Sequence, residues 1–137
     1  MINNYWLLKS EPSTWSWNDQ IKHKITMWDG VRNYQARNNL IKMKKGDLCF
    51  FYHSVSEKLI VGIVEVVKES YPDPTDKSRK FVVVDVKIKS KIKKAINLEM
   101  IKKTSGLENI PLLKQSRLSV MPISNKEWNI IIKLSLN

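Results

Sequence analysis

L-I-V-G-I-V-E-V-V-K, Leu59 to Lys68, is the strongest strand signal in the chain. Its apolar and β-branched residues suit a pleated, packed surface. Gly62 in its middle predicts a bulge or a close backbone approach. L-C-F-F-Y-H, Leu48 to His53, lies just before it and reads as a buried strand by length and aromatic content. Phe81 to Ile92 follows and alternates: Val82, Val84, Val86 and Ile88 point one way, Asp85, Lys87 and Lys89 the other. That is a half-exposed strand with a basic outer face. These three strands are the expected centre of a sheet.

Outward from that centre, Tyr5 to Lys9 reads as a first strand, stopped by Pro12. Ser16 with Asp19 forms a capping box for a short helix over Trp17 to His23. Lys44-Lys45-Gly46-Asp47 is a turn, and Tyr71-Pro72-Asp73-Pro74-Thr75 is a Pro-punctuated loop. A short helix is expected over Asn97 to Lys103, ended by Gly106, and a last strand over Arg117 to Ile123. Ser124 with Glu127 forms a second capping box, before a C-terminal helix carrying Trp128 and Ile131. Strands and crossover helices do not alternate one for one, which excludes a doubly wound sheet. The order predicts an α+β fold: a mixed or antiparallel sheet of five or six strands, curled into a barrel, with short helices at its ends. No internal repeat, low-complexity tract or linker divides the chain, so residues 1–137 are expected to form one domain.

The 137 residues carry 24 Lys+Arg against 13 Asp+Glu, a net charge of +11 that suits a polyanionic partner such as nucleic acid. Lys far outnumbers Arg, and Ile and Asn abound, a bias that A/T-rich coding also produces. The Arg positions therefore carry more weight, because Lys cannot replace the planar fork of Arg on phosphates and base edges. Arg32, Arg37 and Arg117 lie in motif-like stretches. No apolar run approaches the roughly 20 residues that span a membrane, and no signal peptide is recognisable. The single cysteine, Cys49, lies in an apolar run and reads as a reduced core residue, so a cytosolic (cytoplasmic) protein is expected. No Cys/His cluster has zinc spacing. Neither a metal nor a cofactor is expected, and a monomer is expected rather than an oligomer.

W-D-G-V-R-N-Y-Q-A-R-N-N, Trp28 to Asn39, holds the densest functional signal. Gly30 permits a tight turn. Asn33 can then cap a helix on which Ala36, Leu40 and Met43 follow at helical spacing. Trp28, Asp29, Val31 and Arg32 would stand at the helix N-terminus, where free N–H groups and the dipole favour anions and hydrogen-bond acceptors.

With these residues laid out, the chain resembles the EVE domain family, which includes the thymocyte nuclear protein family. The matching stretches are Y-W-L-L-K-S-E-P-S (Tyr5–Ser13), W-D-G-V-R-N-Y-Q-A-R-N (Trp28–Asn38), G-D-L-C-F-F-Y-H-S (Gly46–Ser54), Y-P-D-P-T (Tyr71–Thr75) and Q-S-R-L-S-V (Gln115–Val120). The resemblance implies a PUA-like fold, a pseudobarrel of five or six strands, related to the YTH domains that read methylated RNA. It implies a non-catalytic reader of a modified base, a modified cytosine or adenine in DNA or RNA. Between Thr75 and Phe81 the chain is shorter than many relatives, and Phe81 stands where a Trp is common. Both departures are expected to lie outside the pocket.

Such a reader needs the base out of its stack, aromatic faces to receive it and polar groups for its edge. Trp28 and Tyr52 can supply faces, and Val31 can pack on a methyl group. Ser10, Asn33 and backbone N–H groups near Gly30 can meet the edge. Lys9, Arg32, His53 and Arg117 are then available for phosphates. The matching motifs add Glu11, Asn38, Ser54 and Ser119 to the expected site. Plainer readings stand beside these: Trp28 and Tyr52 as core, Trp6, Trp15, Trp17 and Trp128 as core or groove wall, His53 as a strand-end histidine, Lys9 with Glu11 as an ion pair, and Lys87 to Lys94 as a solvated face. Two other functions compete. ASCH-like domains share the PUA-like architecture, and some are amidohydrolases acting on modified cytidines through a Lys, a hydroxyl and an acid, group types that Lys9, Ser10 and Glu11 offer. A small protein-interaction module with structural Trp residues is the third.

Overall fold

The computed structural model, which describes residues 4–136, sets the three expected strands side by side. Among the described residues there are six strands and five helices, in the order β1 (Tyr5–Ser10), α1 (Trp17–His23), β2 (Ile25–Met27), α2 (Tyr34–Lys42), β3 (Leu48–His53), β4 (Leu59–Pro72), β5 (Val82–Asn97), α3 (Leu98–Lys103), α4 (Pro111–Lys114), β6 (Val120–Ile123) and α5 (Asn125–Leu136). They form one sheet in the order β2-β5-β4-β3-β1-β6. β1 runs parallel to β3 and every other neighbouring pair is antiparallel, so the sheet is mixed.

Repeated register shifts between β4 and β5 bend these long strands and curl the sheet. The sheet does not close: β2 and β6, of three and four residues, remain its two edges. The barrel expectation is corrected to an open, curled sheet. Gly62 is the close approach that the sequence predicts. An added Cβ there would meet the Trp17 ring at 2.3 Å, so α1 lies on β4 only because that position has no side chain.

Side chains of β1, β3, β4 and β5 fill the core, with Leu7, Leu8, Phe50, Phe51, Ile60 and Ile96 fully buried. α5 docks through Trp128, which stacks between Phe50 (3.8 Å between ring centres) and Tyr5 (4.3 Å). The turn before β3 is held by buried Asp47, whose carboxylate accepts from the Trp6 indole N–H, the Lys44 N–H and the Asn4 N–H. α2 is tied to the edge strand β6 by the Asn39 amide, which donates to the Val120 carbonyl at 2.7 Å.

Both capping boxes form as the sequence predicts, at Ser16/Asp19 and Ser124/Glu127. Several boundaries move. β2 has three residues, too few to show a period. β4 runs on through Tyr71 and Pro72, because the last residues of a strand tolerate a proline. α3 ends at Lys103 with Thr104 as its C-cap, and Gly106 (φ +96°) serves the turn beyond it. β6 starts only at Val120, since residues 115–118 form a turn closed by Leu118 N–H on the Gln115 carbonyl. The single turn α4 carries no side-chain cap that would announce it.

Gly62→Ala should destabilise the fold by about 1–3 kcal/mol, since the Trp17 ring has to move off β4. Urea unfolding of the variant checks this. An unchanged midpoint would mean that α1 does not depend on that contact.

Candidate functional site

The C-terminal end of β1, the short strand β2 and the turn leading into α2 enclose a cleft of about 580 Å³, a size that fits a nucleobase-scale ligand. Its walls bring together Lys9, Ser10, Glu11, Trp28, Gly30 and Val31, and with them Arg32, Asn33 and Ser119. Nine of the fourteen residues expected from the sequence thus meet around one cavity.

The turn is built by a distant residue. Gly30 takes φ +80°, the left-handed region that suits glycine. Its N–H donates to Asp73 Oδ2 at 3.0 Å, and Arg32 donates to the same oxygen at 2.9 Å. The Thr75 N–H and hydroxyl donate to the other carboxylate oxygen at 2.7 and 2.6 Å. Burial works to raise the Asp73 pKa, but the bonds from Thr75, Gly30 and Arg32 outweigh it and take the group down to about 2. Arg32 also donates to the Val31 carbonyl and the Thr75 hydroxyl, and its guanidinium lies over the Phe81 ring at 5.5 Å. The loop from Asp73 and Phe81 itself therefore buttress the cleft. Both lie outside the cleft lining, as expected, and act on it from behind through Gly30 and Arg32.

Trp28 is buried, its ring edge-on to Phe51. It belongs to the core and only borders the cleft. Trp15 also lines the cleft and is less buried than Trp28. Its indole N–H donates to Gln20 Oε1 at 2.9 Å, and its carbonyl accepts the Ser10 hydroxyl. Thr14, Thr26, Met27 and Asp29 complete the wall. Among these, Thr26 and Met27 had no signal in the sequence because β2 itself had none.

Polar groups near the turn are partly engaged. Trp28, Asp29 and Gly30 give their N–H groups to Val84, Met27 and Asp73, so these do not project free into the cleft as expected. Asn33 caps α2 by accepting the Ala36 N–H, which leaves its amide N–H₂ for a ligand. Lys9 donates to the Ser116 carbonyl at 2.8 Å, and burial lowers its pKa. Glu11 accepts from the Ser13 hydroxyl and N–H, which hold it below the usual carboxylate range. Lys9 and Glu11 are thus each bound to other groups and do not pair.

Five expected residues lie elsewhere. Asn38 is on the exposed side of α2, accepting from Arg37. His53 is buried: Nε2 accepts the Trp17 N–H at 2.9 Å while Nδ1 faces Glu57 Oε1 at 2.8 Å. It is a structural residue, unavailable for phosphates. Tyr52 and Ser54 line a second cleft beyond Lys9, with the Tyr52 phenol raised by burial. Arg117 is exposed in a shallow recess that also includes Asn33 and Lys114. Among the described residues no group of His, Cys, Asp or Glu could hold a metal ion, and no helix is long and apolar enough to cross a membrane.

Comparison with known proteins matches residues 4–134 to the EVE domain family. Mouse thymocyte nuclear protein 1 is 39% identical over 97% of this chain and 74% of its own length. A Rhodopseudomonas palustris protein solved by NMR superposes with a TM-score of 0.91 at 45% identity, over 96% of this chain and 92% of that one. The crystal structure of human THYN1 protein in complex with 5-methylcytosine-containing DNA superposes with a TM-score of 0.90 at 34% identity, over 98% and 99% of the two chains. An ASCH protein from Zymomonas mobilis superposes at 0.58 with 9% identity, a likeness of fold alone. The vertebrate relatives are named nuclear proteins, which overturns the cytosolic expectation. Cys49 is a lone buried thiol with no second cysteine in the sequence to pair with, so it does not distinguish one compartment from another.

The stability held by Asp73 should be fully present above about pH 4, where the carboxyl would ionise even unfolded. It should be lost as pH falls through about 2, the folded value. Asp73→Asn should cost about 2 kcal/mol at neutral pH and flatten that part of the acid-stability curve. Denaturation of both proteins from pH 7 to pH 2 checks this; parallel curves would refute it. Asp76, also held near 2 by Ser78, is present in both proteins and cancels in the comparison.

Proposed function

This chain belongs to the EVE domain family, and from that premise we propose that it binds DNA carrying a modified cytosine and takes the modified base into the cleft between Trp15 and Trp28. The carrying observation is the cleft itself: about 580 Å³, bordered by Trp15 and Trp28, with polar groups around a clamped turn. The human relative crystallised with 5-methylcytosine DNA supports the choice of ligand.

The chemistry fits a 5-substituted cytosine. Trp15 offers a face for stacking. Val31 and Met27 offer apolar surface for a 5-methyl group. The carboxylates of Asp29 and Glu11 can accept from the exocyclic amine, and the Asn33 amide can donate to the ring carbonyl. Arg32 has three of its N–H groups engaged and keeps the others for a phosphate. Arg117, exposed beside the cleft, serves the backbone. In this reading residues 1–137 act as one monomeric domain.

The reading is of a binder without catalysis. An amidohydrolase would need Lys9, Ser10 and Glu11 to act on one another or on a shared water. Here the Ser10 hydroxyl points to the Trp15 carbonyl, Lys9 to Ser116 and Glu11 to Ser13. Incubation with acylated cytidine should release no free amine. Turnover lost in Lys9→Ala would overturn the non-catalytic reading.

The direct test is titration of the protein with oligonucleotides carrying cytosine, 5-methylcytosine or N6-methyladenine, as DNA and as RNA. Tightest binding to the modified cytosine in DNA is expected, and equal affinity for all of them would overturn the reading. Trp15→Ala should weaken the modified oligonucleotide by roughly 1–3 kcal/mol and reduce the preference. Arg117→Ala should weaken modified and unmodified DNA alike and reduce the salt slope by about one contact. Trp28→Ala is a poor probe, because truncating a buried Trp costs about 3–5 kcal/mol of folding stability.

A further inference from the structure

A second cleft, also about 580 Å³, lies across the end of β1 from the first. Lys9, Glu11 and Ser119 line both, so the two share a rim. The far wall of the second is formed by Tyr52, Leu98, Leu112 and the β3–β4 loop with Val55 and Lys58. None of this is needed to hold a base in the first cleft.

Val55 is the unusual part. It is 67% exposed, and its φ is +69°. A β-branched side chain in the left-handed region is strained, and an apolar side chain in water gains nothing from its position. The loop is nonetheless held on several sides. The Ser54 N–H donates to the Ser10 carbonyl at 2.9 Å, Glu57 pairs with His53 at 2.8 Å, and the Leu98 N–H donates to the Lys58 carbonyl at 3.1 Å. Strain that the surroundings fix in place collects at binding sites. Exposed aliphatic side chains beside a nucleic-acid groove are used as wedges against bases.

The shared rim carries a cation. Lys9 gives one N–H to the Ser116 carbonyl at 2.8 Å, which leaves two of its three donors. It lines both cavities and so stands where a phosphate joining their two occupants would come within its reach. Lys58 adds a second positive charge to the far wall. We propose that the second cleft receives the base of the nucleotide adjacent to the modified one, packed against Val55, with Lys9 facing the phosphate between them. This rests on the first cleft taking the modified base.

The test uses single-stranded DNA with one 5-methylcytosine. One oligonucleotide is intact, and two others carry an abasic sugar on the 5′ or the 3′ side of it. Removing the neighbouring base on one side should weaken binding at least about fivefold. Val55→Gly should fold at least as well, because glycine adopts the left-handed region freely. It should bind the intact oligonucleotide more weakly and lose most of the abasic effect, with its preference for 5-methylcytosine over cytosine unchanged. Equal affinity for the intact and both abasic oligonucleotides, with that preference kept, would overturn the second cleft and leave the first standing. Absence of any preference for the modified base would overturn both.

Discussion

One buried carboxylate holds the cleft end of the molecule together. The Asp73 side chain has no exposed surface. A charge so placed is tolerated only when its hydrogen bonds are complete. Four donors complete them, from Gly30, Arg32 and both polar groups of Thr75. The end of β4, the Gly30 turn and the Arg32 guanidinium are therefore fixed as one unit. Phe81 adds to it, with the Arg32 guanidinium over its ring and the Tyr34 ring tilted against it. The cleft wall is set by a contact across the sheet, while the local preference of a glycine turn merely permits it.

That arrangement decides which polar groups face a ligand. Backbone donors at Trp28, Asp29 and Gly30 are engaged internally, so the turn does not offer a nest of N–H groups to an anion. What remains at the wall includes two carboxylates, Asp29 and Glu11. Carboxylates accept hydrogen bonds, and at neutral pH they cannot donate. The lining thus offers acceptors on Asp29 and Glu11 and donors on Asn33, Lys9 and Arg32, a mixed set that can meet a polar base edge.

Strands β1, β3, β4 and β5 were readable because their apolar runs are long, and α1, α2 and α5 because Ser16, Asn33 and Ser124 are capping residues. The Gly62 contact was readable from one glycine within a strand. The nine cleft residues were readable because they lie in two motifs, Tyr5–Ser13 and Trp28–Asn38, with Ser119 from a third. What could not be read depends on pairing between distant segments. β2 is a strand only because β5 offers it a partner. His53 looked like a phosphate ligand, yet the fold brings the Trp17 N–H onto its Nε2. Asn38 and Asn39 are adjacent, and helix phase alone turns the second inward to β6 and the first out to solvent. Asp73 lay in a stretch that was noticed, but its partner is 43 residues earlier.

The distribution of charge separates attraction from discrimination. The chain carries +11, yet the inner wall of the cleft is not a basic surface. Lys9 and Arg32 in its lining are matched by Asp29 and Glu11, and further cations stand outside it, on Arg117 and along the outer side of β5, where Lys87, Lys89 and Lys91 are exposed. Charges at the margin act over about a Debye length and on any phosphate backbone. Stacking, methyl contact and edge hydrogen bonds act only on a base already inside. A domain built this way would hold DNA weakly wherever it meets it and tightly where an extruded base fits. The cost of extrusion, a few kcal/mol in a duplex and less in a single strand, would then be offset by contacts inside the cleft and not by those to the phosphates.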